Sequence, residues 1–275
     1  YLVYNISENA TFNQRVFRLR FNKNLVSPLF AFIALKSKFV RFQIERLGRG
    51  NNQLNLNIPE LNQIKIPILT ITFQQKIEEL VKAAYTTQET SKKLYQAAEN
   101  LLLAELGIDE KTFQVADNEV VVNEKSFRDF ENSWRLDAEY YQPKYDLADE
   151  AAQKNAHYIK YINEISVHNA RGLQPIYDEN GTLDIINSRH ILEQELDYQN
   201  FEKTHASFWE TQERARIYKN DILTYTTGAN IGRTQVYSSQ ERALASNHVN
   251  ILRIKEENPV YVAFVLNSKI GRLQT

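Results

Sequence analysis

The stretch Phe73–Leu106, FQQKIEELVKAAYTTQETSKKLYQAAENLLLAEL, contains neither Gly nor Pro and is dominated by Ala, Leu, Lys, Glu and Gln. These are the residues that lose least on entering a helix. Both ends are marked: Thr72 followed by Gln75 fits a capping box, and Gly107 stands where a left-handed C-terminal cap belongs. Thirty-four helical residues make a rod of about 50 Å. A heptad reading puts Ile77, Ala84, Ser91 and Ala98 at one seam position and Leu80, Thr87, Leu94 and Leu101 at the other. Small side chains in the middle of that seam favour a second long helix packed antiparallel. The chain offers no second stretch of this length, so the partner helix is expected on a missing part of the polypeptide or on another protein.

Outside the rod the hydrophobic period falls to two. Val16-Phe17-Arg18-Leu19-Arg20 and Val249-Asn250-Ile251-Leu252-Arg253 read as half-buried strands in mixed α/β flanks. Residues 109–135 form an acidic connector with one expected strand, Glu119–Val122. The run SWRLDAEYYQPKYD then opens a second domain that Tyr140, Tyr141 and Tyr145 can pack. The flanks repeat each other. Asn13–Lys38 reads as strand, Pro28 loop and the helical FAFIALKSK, and Asn247–Lys269 as strand, Pro259 loop and YVAFVLNSK. Arg20 matches Arg253, and Leu35, Ser37 and Lys38 match Leu266, Ser268 and Lys269. The chain is therefore expected to begin part-way through one copy of a domain and stop part-way through the next. An opening Tyr1-Leu2-Val3 and the absence of any Met agree with a piece of a longer polypeptide.

A chain of 275 residues with 43% hydrophobic and 24% charged residues has ordinary globular composition and room for two domains. Lys36 and Lys38 break the most apolar stretch, Leu29–Val40, which excludes a membrane span there. Zero Cys excludes a disulfide scaffold, a Cys-ligated zinc site and a thiol nucleophile, and fits a reducing, cytoplasmic setting. The net charge of -1 hides a strong division. Residues 1–72 carry ten Lys/Arg against three acids, residues 73–108 four against five, residues 109–150 five against twelve, and residues 151–275 fourteen of each. The basic first segment, its arginines interleaved with Phe, Gln and Asn, has the footprint of a polyanion binder; a solvated face is the plainer alternative.

No catalytic constellation is self-contained in this chain. TTGANIGR (Thr226–Arg233) has a Gly-x-x-x-Gly turn, but neither GxxxxGK nor GxGxxG is present, which argues against a mononucleotide cradle. His157, His168, His190, His205 and His248 include no i,i+4 pair and no HExxH, so no metal site or other cofactor is expected. The carboxylates lack the strand-borne spacing of a metal nuclease, and no Asn-Pro-Pro-aromatic tetrad is present for a flipped adenine. Binding is better supported. Glu45–Ile68 places Arg46, Arg49, Gly50, Asn51, Asn52 and Gln53 in a Gly-bracketed loop, and guanidinium and amide groups pair bidentately with guanine and adenine edges. A neutral loop that uses Asn for its turns is the competing reading. Arg171, Asn187, Arg189, His190, Thr227, Asn230, Arg233, Asn247 and His248 form a similar polar set in the second domain, each beside a strand or a Gly turn.

Four segments in this order, GRGNNQLNLNIPELNQIKIPI, the 73–107 helix, SWRLDAEYYQPKYD and NDILTYTTGANIGRTQVY with its strand–helix sequel, resemble the specificity subunit of type I restriction-modification systems over almost the whole chain. The resemblance implies an α+β protein: two α/β target recognition domains, both incomplete here, joined by a long central helix of coiled-coil type. The divisions are 1–72 for the C-terminal part of the first recognition domain, 73–108 for the conserved helix, 109–135 for the connector and 136–275 for the second recognition domain. It also implies a partner list of double-stranded DNA, methyltransferase subunits and the restriction subunit, with catalysis in those partners and no role for a membrane. DNA contact is expected from Arg46, Arg49, Asn52 and Gln53 in the first domain and from Arg171, Asn187, Arg189, Thr227, Asn230 and Arg233 in the second. Partner docking is expected along Ile77, Leu80, Leu94 and Leu101. A helix of about 50 Å could hold two readers near 34 Å apart, one turn of duplex, and so act as a ruler. Two alternatives stay open: a fragment of a fused restriction or modification enzyme, and a coiled-coil adaptor that binds only protein.

Overall fold

The computed structural model describes residues 11, 13, 15–50, 55–108 and 122–274. The chain divides into two compact units, residues 1–97 and 98–275. It is a mixed helix-and-sheet protein with one long unbroken helix, and among the described residues every named strand lies in the second unit.

In the first unit, helix α1 (Pro28–Lys36) starts on a proline, whose fixed φ and missing N–H suit a first turn. Ser37 then takes an extended conformation and α2 (Lys38–Leu47) begins at once. The Ser37 hydroxyl donates to the Ala34 carbonyl at 2.6 Å and accepts from the Val40 amide at 3.4 Å, so one side chain serves both helix ends. The short α3 (Ile58–Leu61) follows. The core gathers Val26, Phe30, Ala31 and Ala34 of the α1 region, with Ile66 and Ile77 at its margin.

Helix α4 (Ile71–Glu105) carries that core on its first turns. Its start lies one half-turn earlier than the Thr72–Gln75 box predicts, because Gln74 is drawn inside. The Gln74 backbone donates to the Thr70 carbonyl at 3.0 Å, and its side chain donates to the Leu69 carbonyl at 2.8 Å while accepting the Ser27 amide at 2.8 Å. The Ser27 hydroxyl donates to Glu78 at 2.7 Å. Hydrogen bonds from Lys82 and then from Ser27 hold the Glu78 carboxyl below its ordinary pKa. The other end matches expectation. Gly107 has φ +64, its amide bonds the Ala104 carbonyl at 3.0 Å, and the Ile108 amide bonds the Leu103 carbonyl at 2.9 Å, the paired bonds of a Schellman cap.

The expected strand at residues 16–20 is not formed: these residues enter no ladder, and Val16, Phe17 and Leu19 are exposed. Alternation supplies an apolar face, yet a strand also needs a neighbouring strand for its backbone hydrogen bonds, and among the described residues every named strand lies in the second unit. Most of the expected strand Glu119–Val122 lies outside the described residues.

In the second unit two four-stranded sheets form, ordered β1-β8-β5-β6 and β3-β2-β7-β4. Their strands are β1 (Ser166–Arg171), β2 (Leu183–Ile186), β3 (Glu202–Thr204), β4 (Arg216–Ile217), β5 (Ile222–Tyr225), β6 (Thr234–Val236), β7 (Ala243–Ala245) and β8 (Val249–Ile254). The first sheet is covered on both faces. Leu223, Val249 and Ile251 join Ile186, Ile217 and Ala245 of the second sheet in one cluster. Ile222 and Leu252, one residue out of phase, meet Val262 and Ala263 of the helix Pro259–Asn267 in another. Ser268 and the helix Lys269–Gln274 complete the counterpart of α1–Ser37–α2. Ser268 repeats the Ser37 bond with a 2.6 Å contact to the Val265 carbonyl.

Candidate nucleic-acid interface

Strand direction brings most of the expected second-domain residues to one end of the two sheets. Arg171 closes β1 opposite Asn250 near the start of β8, Tyr225 closes β5 opposite Val249, and Thr234 opens β6 opposite Thr224. In the second sheet β2 and β7 run parallel with Ile186 beside Ala245, so Asn187 and Ser246 leave it together. Only residues 246–248 separate β7 from β8. The ends of both sheets therefore converge on this turn. Gly172 makes the approach possible: its amide bonds the Val249 carbonyl at 2.9 Å, and a Cβ there would lie 2.0 Å from the Ala245 carbonyl oxygen.

The loop between β5 and β6 projects from this end. Gly228 and Gly232, at φ +107 and +84, turn the chain. The hairpin is closed by bonds from the Tyr225 amide to the Arg233 carbonyl and from the Gly232 amide to the Tyr225 carbonyl, both 2.8 Å. The Thr226 amide and hydroxyl each donate to the His248 carbonyl at 3.1 Å, pinning the loop to the β7–β8 turn. Thr227 is exposed, while Asn230 and Arg233 are half-buried. Arg233 stands near Arg272, whose pKa is lowered by burial first and by the Arg233 charge second.

Asn187 caps the 3-10 turn Ser188–His190, its side-chain oxygen accepting the Arg189 amide at 3.1 Å. The Asn187 amide and the Arg189 guanidinium each donate to one oxygen of Glu202, which aligns the two side chains. His190, 1% exposed, accepts the Asn187 backbone amide on Nδ1 at 3.1 Å. Burial, then the neighbouring Arg189 charge, push its pKa below the ordinary 6.5. Asn247 donates to Gln174 at 2.9 Å, and Asn250 to Asn169 across the β1–β8 pair at 2.8 Å. Sequence reasoning missed Asn169, Gln174, Glu202, Asn250 and Arg272. Gln174, Glu202 and Asn250 are polar residues at or near a strand end, Asn169 lies inside β1 and Arg272 on the helix Lys269–Gln274, so their common place shows only once strand pairing and helix packing are known.

The expected residues of the first unit divide. Arg46 is exposed on α2. Arg49 bonds Asn55 through the backbone in both directions, at 2.9 and 2.8 Å, and its guanidinium lies 2.9 Å from Glu60, a carboxylate side chain only 6% exposed. Asn52 and Gln53 lie outside the described residues. On α4, Ile77 packs into the core of the first unit, whereas Leu80, Leu94 and Leu101 are 68%, 65% and 70% exposed and recur at heptad spacing. Among the described residues no three of His, Asp and Glu come together to hold a metal, and no helix is long and apolar enough to cross a membrane.

No protein-family model matches the sequence, and no curated protein matches it. Among solved structures the chain is similar to an HsdS subunit from Thermoanaerobacter tengcongensis, with 13% identity over 93% of this chain and a TM-score of 0.35. It is similar to a chain from work on the assembly and conformational transition of the type I R-M system, with 13% identity over 93% and a TM-score of 0.34. A third is the type I restriction-modification S subunit from M. genitalium, with 16% identity over 92% and a TM-score of 0.37. The chain spans little more than half of each, 56% of their length. Likeness of this extent leaves function to be argued from the residues.

Proposed function

We propose that the chain is a sequence-specific DNA reader of the specificity-subunit kind, itself non-catalytic, which recognises a bipartite target and scaffolds methyltransferase and restriction subunits. The observation that carries the reading is the convergence of Arg171, Asn187, Arg189, the Thr226–Arg233 loop and the β7–β8 turn at one end of two sheets. Guanidinium and amide groups held at fixed spacing on strand ends are suited to base edges in a groove. Glu202 supports this role by orienting Asn187 and Arg189. The basic residues 1–72 supply the sequence-independent, salt-sensitive part of the affinity.

In this reading α4 is both spacer and dock. Its length of 35 residues suits a spacer, and its exposed Leu80, Leu94 and Leu101 support a helix-to-helix contact with a partner subunit. The domain divisions, the double-stranded DNA target and the cytoplasmic setting belong to the same proposal. Methylation-motif sequencing of host DNA with and without the intact gene tests it. A bipartite adenine motif that disappears on deletion is the expected result; an unchanged methylome would refute the reading.

A further inference from the structure

The cluster of Asn187, Arg189, His190 and Glu202 holds one guanidinium in a defined attitude. The Arg189 side chain is 65% exposed, and only one edge of its fork is covered by protein. On that edge Nη2 donates to one Glu202 oxygen, and the His190 ring stands against Nε, with the ring Nε2 3.4 Å away. Burial, and then the Arg189 charge, keep that ring neutral. The end-on edge, made by Nη1 and the second hydrogen of Nη2, has no partner among the described residues. Asn187 is engaged at both ends of its amide: the side-chain oxygen accepts the Arg189 backbone amide at 3.1 Å, and Nδ2 donates to the other Glu202 oxygen. Glu202 therefore grips both side chains at once, and its own place is fixed by pairing with Ile185 in the β2–β3 ladder.

Resting on the reading of the chain as a DNA reader, we propose that Arg189 selects a guanine in the half-site taken by the second unit, through end-on hydrogen bonds to O6 and N7, and that Glu202 and Asn187 are its positioning residues. Guanine presents two acceptors side by side in the major groove, and a planar fork with its end left open matches them. Charge argues against a phosphate at this place. Glu202 already neutralises Arg189, and Asp197 lies near enough to act on the adjoining His190, so a phosphate would enter beside two carboxylates. A guanine edge brings only partial charges. Fixing the guanidinium before contact also removes rotamer freedom that an unheld arginine would lose on binding.

The test is methylation-motif sequencing of host DNA with the intact gene carrying Arg189→Lys or Glu202→Gln, beside the wild type. Arg189→Lys keeps the charge and loses the fork. Preference for one guanine in one half-site should fall at least about tenfold, with every other position and the spacer retained. Glu202→Gln should relax that same position and no other, which a merely structural defect would not do. A second measurement needs no substitution in the protein: competition binding of the native protein, purified from the host, to motif duplexes in which 7-deazaguanine replaces each guanine in turn and so removes N7 alone. One replacement should weaken wild-type binding about fivefold or more and leave binding by the Arg189→Lys protein unchanged. If no guanine responds, or if Arg189→Lys alters a different base, the inference falls while a bipartite motif still supports DNA reading. Even weakening across all sequences assigns Arg189 to a phosphate and overturns it as well. A wild-type gene that yields no motif overturns both.

Discussion

Asp221 and Arg253 hold each other across the first sheet through two hydrogen bonds of 2.7 and 2.8 Å, with the carboxylate side chain 1% exposed and the guanidinium 33%. Asp221 also accepts the Tyr218 amide at 2.8 Å, and the Arg253 guanidinium lies 4.5 Å from the centre of the Tyr218 ring. Hydrogen bonding to Asp221 raises the Arg253 pKa. Removing one partner of so enclosed a pair strands the other, so Asp221→Ala should cost about 3 kcal/mol in urea unfolding. A loss below about 1 kcal/mol would place the pair with ordinary surface bridges.

His190 makes stability depend on pH. Burial holds its folded pKa below 6.5, so on acidification the unfolded chain takes up the proton first. Its favourable contribution is complete above 6.5 and declines as pH falls from there toward the folded pKa. Unfolding temperature measured between about pH 8 and pH 5 should therefore drop on the acid side. His190→Asn, which keeps an acceptor for the Asn187 amide, should flatten the drop. Equal slopes in the two proteins would remove His190 as its source.

What was legible in the sequence was what is local. Gly- and Pro-free composition marks α4, Gly107 marks its cap, and the Ser-Lys pair after an apolar nonamer marks the repeated hinge at Ser37 and Ser268. The segment at residues 16–20 has the same alternation as β8, but β8 lies between two strands whereas residues 16–20 are assigned to no strand. Periodicity records a side-chain pattern and is silent about the backbone neighbour. The ion pairs of Arg49 with Glu60 and Arg189 with Glu202 were equally hidden, since each joins residues brought together by a turn and no spacing rule announces them. Polar residues at strand ends were found singly, and their common location follows only from strand direction.

The two classes of DNA contact should separate by salt. Arg233→Ala, in the hairpin loop, is expected to cost about 1–3 kcal/mol and to relax base preference within one half-site. Arg46→Ala, on the exposed face of α2, is expected to weaken binding evenly across sequences and to lower the salt slope by about 1. Competition binding to a library of half-site variants at several salt concentrations distinguishes them. Identical profiles for both variants would count against assigning base reading to the hairpin.

Lengthening α4 tests whether the helix sets a distance. Residues 86–97 are all exposed, so four helix-forming residues inserted after Ser91 fall outside the buried cores and interrupt the surface pair of Glu89 with Lys92. Four residues add about 6 Å and about 40° beyond a full turn. Two readers on one duplex would then meet at a different base-pair separation, while the bases that each one selects stay the same. The expected outcome is an altered spacer, or loss of binding to the bipartite site, with each half-site identity retained in methylation-motif sequencing. An unchanged spacer preference in a folded insertion variant would mean that separation is set elsewhere, and α4 would keep only its docking role through Leu80, Leu94 and Leu101.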